Sequence, residues 1–139
     1  MYYLKTEQSF DSAHFLKNYE GKCSNIHGHR WRVVVYLNSD RLSTQTQTDG
    51  MLVDFGDIKN ALKKICDDLD HKLIYEANTF KPGTLQALKD ENFALYEVSF
   101  RPTAENFSKY IFELIKNLNY PVCRVEVYET PNNCAIYEG

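Results

Sequence analysis

The chain has 139 residues, 43% of them hydrophobic and 25% charged, with a formal net charge of -3. That length suits one domain with one core, and the slightly acidic balance argues against the broad basic face of a nucleic-acid-binding protein. No stretch approaches the roughly 18 apolar residues of a membrane span, and the opening MYYLKTEQSF has no basic start, apolar run and small-residue cleavage site, so a cytoplasmic protein without a membrane partner is expected.

Tyr2 to Phe15 reads as a first strand, followed by a loop over 17–28. Arg30 to Asn38 alternates around a β-branched centre (Trp31, Val33, Val35, Leu37) and predicts a second strand. After the polar run SDRLSTQTQTDG, Met51 to Phe55 predicts another strand, antiparallel to 30–38. Asp57 to His71 reads as a helix, because Ile58, Leu62, Ile65 and Leu69 fall at spacings of three and four and Cys66 joins their face. Residues 76–94 carry little periodicity. Pro82-Gly83 marks a turn there, with a short helical segment after it and a strand from about Ala94 to Phe100. Thr103 is a good N-cap for a second helix, whose core face is Phe107, Ile111, Leu114 and Leu118, widened by Tyr110 and Ile115. Val122 to Glu129, a turn at 131–133 and Cys134 to Tyr137 predict a closing hairpin. The economical assembly is one amphipathic sheet with two helices on one face. Ten tyrosines and eight phenylalanines leave enough aromatic surface to favour association between copies.

The chemistry concentrates in Cys23-Ser24-Asn25-Ile26-His27-Gly28-His29. In an extended segment His27 and His29 point to the same side and could share one metal ion. Zinc suits several neutral imidazoles, and catalytic zinc sites commonly use three protein ligands with one open position. The third ligand is His14 or Cys23. His14 is favoured, since three histidines leave a position for substrate and free Cys23 to react; a closed structural site of Cys23 and the three histidines is the alternative. Cys66 and Cys123 read as small buried hydrophobes, and Cys134 stays ambiguous.

His71 could accept a proton from Cys23, or it is simply an exposed helix-end histidine. Neighbours on a helix do not face each other, so Asp70 orients His71 only if the helix has ended before it. Glu129 at a strand end and Glu105 in the first turn of the second helix are carboxylates that could hold a guanidine-like heterocycle edge, or else are solvated acids. Arg30, Arg32, Lys22 and Lys72 could bind an anionic substrate tail or be ordinary surface charge. A regular strand would send Arg30 and Arg32 to the face opposite His27 and His29.

Taken together, Ser12-Ala13-His14, Cys23-x-x-x-His27-Gly28-His29, Gly50-Met51-Leu52-Val53-Asp54-Phe55, Asp70-His71-Lys72-Leu73, Pro102-Thr103-Ala104-Glu105-Asn106 and Val127-Tyr128-Glu129-Thr130 resemble, in order, the 6-pyruvoyltetrahydropterin synthase family, which includes the 6-carboxytetrahydropterin synthases of queuosine precursor synthesis. The resemblance spans nearly the whole chain, as a single domain over 1–139. It implies an α+β tunnelling fold: a four-stranded antiparallel sheet with two helices packed on one face. Subunits of that fold close into trimers that stack as homohexamers, with active sites between subunits. It implies zinc held by His14, His27 and His29, a catalytic thiol at Cys23 working with Asp70 and His71, and a pterin held by Glu129 with Thr103 and Glu105 nearby. Three residues between Cys23 and His27 look like the carboxy-forming branch, since the pyruvoyl-forming enzymes typically have two more. The implied reaction is zinc-dependent conversion of 7,8-dihydroneopterin triphosphate to 6-carboxy-5,6,7,8-tetrahydropterin, with release of acetaldehyde and triphosphate. The alternatives are the pyruvoyl-forming elimination alone, or a non-catalytic zinc or pterin-binding protein.

Overall fold

The computed structural model describes residues 1–139 throughout. Its elements run β1 (Tyr2–His14), β2 (His27–Ser39), α1 (Phe55–Leu69), β3 (Leu73–Glu76), α2 (Pro82–Asp90), β4 (Leu95–Val98), α3 (Ala104–Asn117), β5 (Val122–Thr130) and β6 (Asn133–Glu138). Six strands form one sheet in the order β4-β3-β1-β2-β5-β6. The β1–β2 ladder organises it, antiparallel without a break from Tyr2 opposite Ser39 to His14 opposite His27.

Strand alternation separates the two faces. Leu4 and Phe10 of β1, Trp31, Val33, Val35 and Leu37 of β2, and Val125 and Val127 of β5 are buried on one face. Helix α1 covers that face with Ile58, Leu62, Ile65, Cys66 and Leu69, and α3 covers it with Phe107, Ile111, Phe112 and Ile115. Full burial of each such side chain contributes about 1.5–3 kcal/mol. Both helices start at capped ends: Asp54 accepts from Gly56 N at 2.7 Å and Thr103 from Asn106 N at 3.3 Å.

The expected sheet of four strands and two helices is corrected to six strands and three helices. Of the extra elements, α2 and β4 answer to the short helical segment after Pro82-Gly83 and the strand expected from about Ala94 to Phe100, whereas β3, just ahead of the weakly periodic segment, was not expected. Strands β3 and β4 have four residues each and lie parallel, β3 to β1 and β4 to β3; four residues are too few to display a period. Pro82-Gly83 opens α2 rather than making a turn, with the proline in the first helical turn, where its missing N–H costs nothing. The strand expected at 51–55, and its pairing with 30–38, are also absent. Met51 is tied to Ser43 and Thr48 by backbone bonds of 2.8 and 2.9 Å, Leu52 and Val53 pack against the core, and Asp54 caps α1. Burial of Leu52 and Val53, not strand pairing, accounts for that run; β2 is already flanked by β1 and β5. Leu118, expected in the core, is 52% exposed, and Phe112 takes the buried place instead. No helix is long and apolar enough to cross a membrane.

Candidate metal centre and active site

The β1–β2 register builds the centre. His14 ends β1 directly opposite His27, and His29 lies two residues further along β2 on the same face. Their ligand atoms all lie within 4.8 Å of one another. Two backbone carbonyls set the tautomers: His14 Nδ1 donates to Pro102 O at 2.7 Å, and His27 Nδ1 donates to Asn25 O at 2.6 Å. Both Nε2 atoms therefore carry lone pairs, and these face each other at 3.1 Å. Two opposed lone pairs with no proton between them are a repulsive contact that a cation resolves. His29 Nε2 is buried without a hydrogen-bond partner, 3.6 Å from Glu129 Oε1.

The electrostatics point the same way. Burial pulls His14 down to about 4 against the opposing pull of its Pro102 bond, and His27 and His29 lower it further. Burial also lowers His29, with Glu129 opposing. Neutral imidazoles are the form a metal needs. Nitrogens bound at about 2.0–2.1 Å to a tetrahedral ion sit roughly 3.3 Å apart, close to the His14–His27 separation. Three imidazoles suit zinc, although copper, iron and nickel accept the same donors. Trp31 is the platform: fully buried, it meets His14 edge-on at 4.9 Å and His29 at 5.3 Å, and its Nε1 donates to Ser12 O at 3.3 Å.

Cys23 lies on a short 3-10 turn over Lys22–Ser24 and is half-buried. Its carbonyl accepts from Leu16 N at 2.9 Å, while its sulfur makes no hydrogen bond and is not part of the three-histidine cluster.

Asp70 and His71 form a second unit. Helix α1 ends at Leu69, Asp70 is extended, and His71 has φ 55, a left-handed conformation uncommon outside glycine and used here to turn the chain. The expectation that Asp70 orients His71 only beyond the helix end is met: His71 Nδ1 donates to Asp70 Oδ2 at 2.7 Å. Asp70 Oδ1 accepts from Asp11 N at 2.8 Å, and His71 N donates to Asp11 O at 2.6 Å. The Asp11 amide, then the His71 ring, hold the Asp70 carboxyl below its ordinary range, while the Asp70 carboxylate raises His71.

Two open clefts adjoin at His29 and Arg30. One, of about 670 Å³, contains His71, Lys72, Ala13 and Phe93 in its walls. The other, of about 440 Å³, contains Glu129, Arg32 and Tyr128. Thr103 spends its hydroxyl as the α3 cap and Glu105 is exposed in the first turn; neither lines these two clefts. Sequence reasoning missed Pro102 O and Asn25 O, which fix two rings, the Asp11 amide, which anchors Asp70, and Trp31, read only as a strand residue. Backbone carbonyls and amides leave no mark in a sequence; the lone tryptophan two residues beyond His29 was the one available signal.

Fold and site define a class of sheet proteins with a three-histidine cluster able to hold a metal ion. The family model for 6-pyruvoyl tetrahydropterin synthase matches residues 3–139, and the chain belongs to that family. It is 32% identical over 141 residues to the 6-carboxy-5,6,7,8-tetrahydropterin synthase of Haemophilus influenzae, covering 99% of each chain. It is 33% identical over 129 residues to the protein of the same name from Rickettsia felis, covering 88% of this chain and 90% of that one. An uncharacterized protein from Wolinella succinogenes shares the fold with TM-score 0.83 at 24% identity, covering 99% of this chain and 98% of its own. The Caenorhabditis elegans 6-pyruvoyl tetrahydropterin synthase shares it with TM-score 0.71 at 23% identity, over 99% and 95% of the two chains.

Proposed function

We propose that the chain converts 7,8-dihydroneopterin triphosphate and one water to 6-carboxy-5,6,7,8-tetrahydropterin, releasing acetaldehyde and triphosphate. One observation carries the choice of product: curated relatives at 32–33% identity over most or all of the chain bear the carboxy name. The pyruvoyl-named structures are 22–23% identical and support the fold alone. The Cys-x3-His-Gly-His spacing, which resembles that of the carboxy-forming branch, supports the same choice.

Zinc is the metal we assign to His14, His27 and His29; bound there it would act as a Lewis acid toward the substrate side-chain oxygens. Cys23 supplies the base that takes a proton from the substrate side chain, its sulfur being free of other hydrogen bonds. The Asp70–His71 pair moves protons, with the Asp70 carboxylate keeping His71 Nδ1 protonated and leaving Nε2 to exchange. Glu129, beside His29, accepts from the amino-pyrimidine edge. Thr103 and Glu105 join the substrate site from the start of α3, next to the Pro102 carbonyl that fixes His14.

Assembly as a homohexamer, a dimer of trimers, is part of the same proposal. In one chain the Cys23 sulfur makes no hydrogen bond to Asp70 or His71, and a neighbouring copy would supply the missing partner. Residues 1–139 act as one tunnelling-fold domain of a cytoplasmic enzyme, a location that the absence of disulfides among its four cysteines supports. The test is product analysis after incubation with 7,8-dihydroneopterin triphosphate. Acetaldehyde together with a 6-carboxypterin is expected, whereas 6-pyruvoyltetrahydropterin without acetaldehyde would assign the sister reaction.

A further inference from the structure

We propose that Arg30 recognises the triphosphate tail of the substrate, with Lys72 on the wall of the same cleft as a second cation. The inference rests on the reaction proposed above, because that substrate pairs a hydrogen-bonding heterocycle with a polyanionic tail. Strand β2 sends Arg30 and Arg32 to the face away from the buried core, as their spacing implies. The two then differ. Arg32 is committed: its guanidinium lies 3.8 Å from the centre of the Tyr128 ring, and Nη1 donates to Glu7 Oε2 at 3.2 Å. Arg124 is held by Glu126 and Glu138, and Arg101 donates to Lys17 O.

Arg30 is exposed, and its side chain makes no ion pair and no hydrogen bond. It stands where the two clefts adjoin, lining both the one that contains His71 and the one that contains Glu129. A ligand that places a donor-rich edge on Glu129 meets an unspent guanidinium at the common border. That group offers a planar fork of N–H donors, matched in spacing to phosphate oxygens. Lys72 is steadied by a bond to Asp68 O and by the Tyr96 ring 5.6 Å away, so it adds positive charge at a fixed place. Asp11 also lines that cleft and lies directly across the β1–β2 ladder from Arg30, so the tail must outcompete its carboxylate for the guanidinium. Asp70, which accepts from His71 and the Asp11 amide, is near enough to Arg30 for the guanidinium to help keep it ionised, so it is a second carboxylate that the tail must outcompete.

The experiment compares wild type, Arg30→Gln and Arg30→Lys as zinc-loaded enzymes, with zinc content measured before and after because polyphosphates chelate metal. Turnover of 7,8-dihydroneopterin triphosphate gives KM and kcat, and inorganic triphosphate is titrated as an inhibitor. Arg30→Gln is expected to raise KM and the inhibition constant about tenfold, with a smaller change in kcat, as befits one lost charge-assisted contact. Arg30→Lys is expected to restore part of both. The dependence of the inhibition constant on ionic strength should weaken in Arg30→Gln. A turning-over Arg30→Gln enzyme with wild-type KM and inhibition constant overturns the inference and leaves the proposed reaction standing. Arg30-dependent binding of inorganic triphosphate to a wild type that does not turn over this substrate supports the anion site and rejects the reaction.

Discussion

Replacing His14 by Ala separates its structural role from its proposed role as a metal ligand. His14 is 1% exposed and donates to Pro102 O, so truncation leaves a buried carbonyl without its donor and opens space against Trp31. The stranded carbonyl costs about 1–3 kcal/mol and the lost packing about 2 kcal/mol, together roughly 3–5 kcal/mol near pH 7.5, out of a total stability of about 5–15 kcal/mol. The pH dependence gives a second signature. In the metal-free native state His14 resists protonation down to about 4, whereas in the unfolded chain it takes a proton near 6.5. As pH falls through that window the unfolded state gains a proton that the native state refuses, so the wild type loses stability. At about 1.4 kcal/mol per pH unit the loss approaches ~3 kcal/mol by pH 4. The Ala variant lacks this loss, so the gap between the two proteins should narrow from roughly 3–5 kcal/mol at pH 7.5 to about 0–2 kcal/mol near pH 4. The assay is urea unfolding of chelator-treated protein at fixed subunit concentration, with His27→Ala alongside. The half-exposed His27 should cost about 1 kcal/mol at most while abolishing metal binding equally. A metal-free His14→Ala as stable as wild type at pH 7.5, or a gap that does not change with pH, would refute the buried, neutral His14.

Asp70→Asn should bring the His71 pKa back toward 6.5, read by NMR titration of the ring nitrogens, and cut kcat by ~100-fold if the pair moves protons; an unchanged His71 pKa would contradict the pairing. In the wild type, raised His71 lends stability that fades as pH climbs through its folded pKa, and lowered Asp70 lends stability that fades as pH drops through its own. The pair is therefore fully ionised between the carboxylate and imidazole ranges, and its contribution should peak there. Glu129→Ala should raise KM at least tenfold, the effect of one lost charge-assisted contact, while one zinc per chain is retained; ordinary saturation behaviour would reject Glu129 as the heterocycle anchor.

The metal centre was legible because strand alternation and a full-length antiparallel ladder are short-range rules: His27 and His29 share a face by period two, and a hairpin returning through 17–28 carries His14 opposite them. The helix stripes of α1 and α3 were legible for the same reason. Strand β4 was legible as the strand expected from about Ala94 to Phe100, but the parallel strand β3 was not, since four residues are too few to alternate and its partner in β1 lies far away in the chain. Met51–Phe55 shows the reverse failure, a run of which Leu52 and Val53 pack on the core without joining the sheet while Met51 and Phe55 stay exposed. Asp70 and His71 could be chosen as residues from the sequence, but their hydrogen bond depends on the left-handed turn at His71, which only the folded chain displays.

The proposed division of Cys23–His29 into a reacting thiol and two metal ligands is tested most directly by metal analysis of Cys23→Ala alongside turnover. The zinc content of Cys23→Ala should equal that of wild type, near one per chain, with turnover lost. A Cys23→Ala protein that has lost its zinc would make Cys23 a ligand, and one that still turns over would remove it from the chemistry; either result contradicts the account.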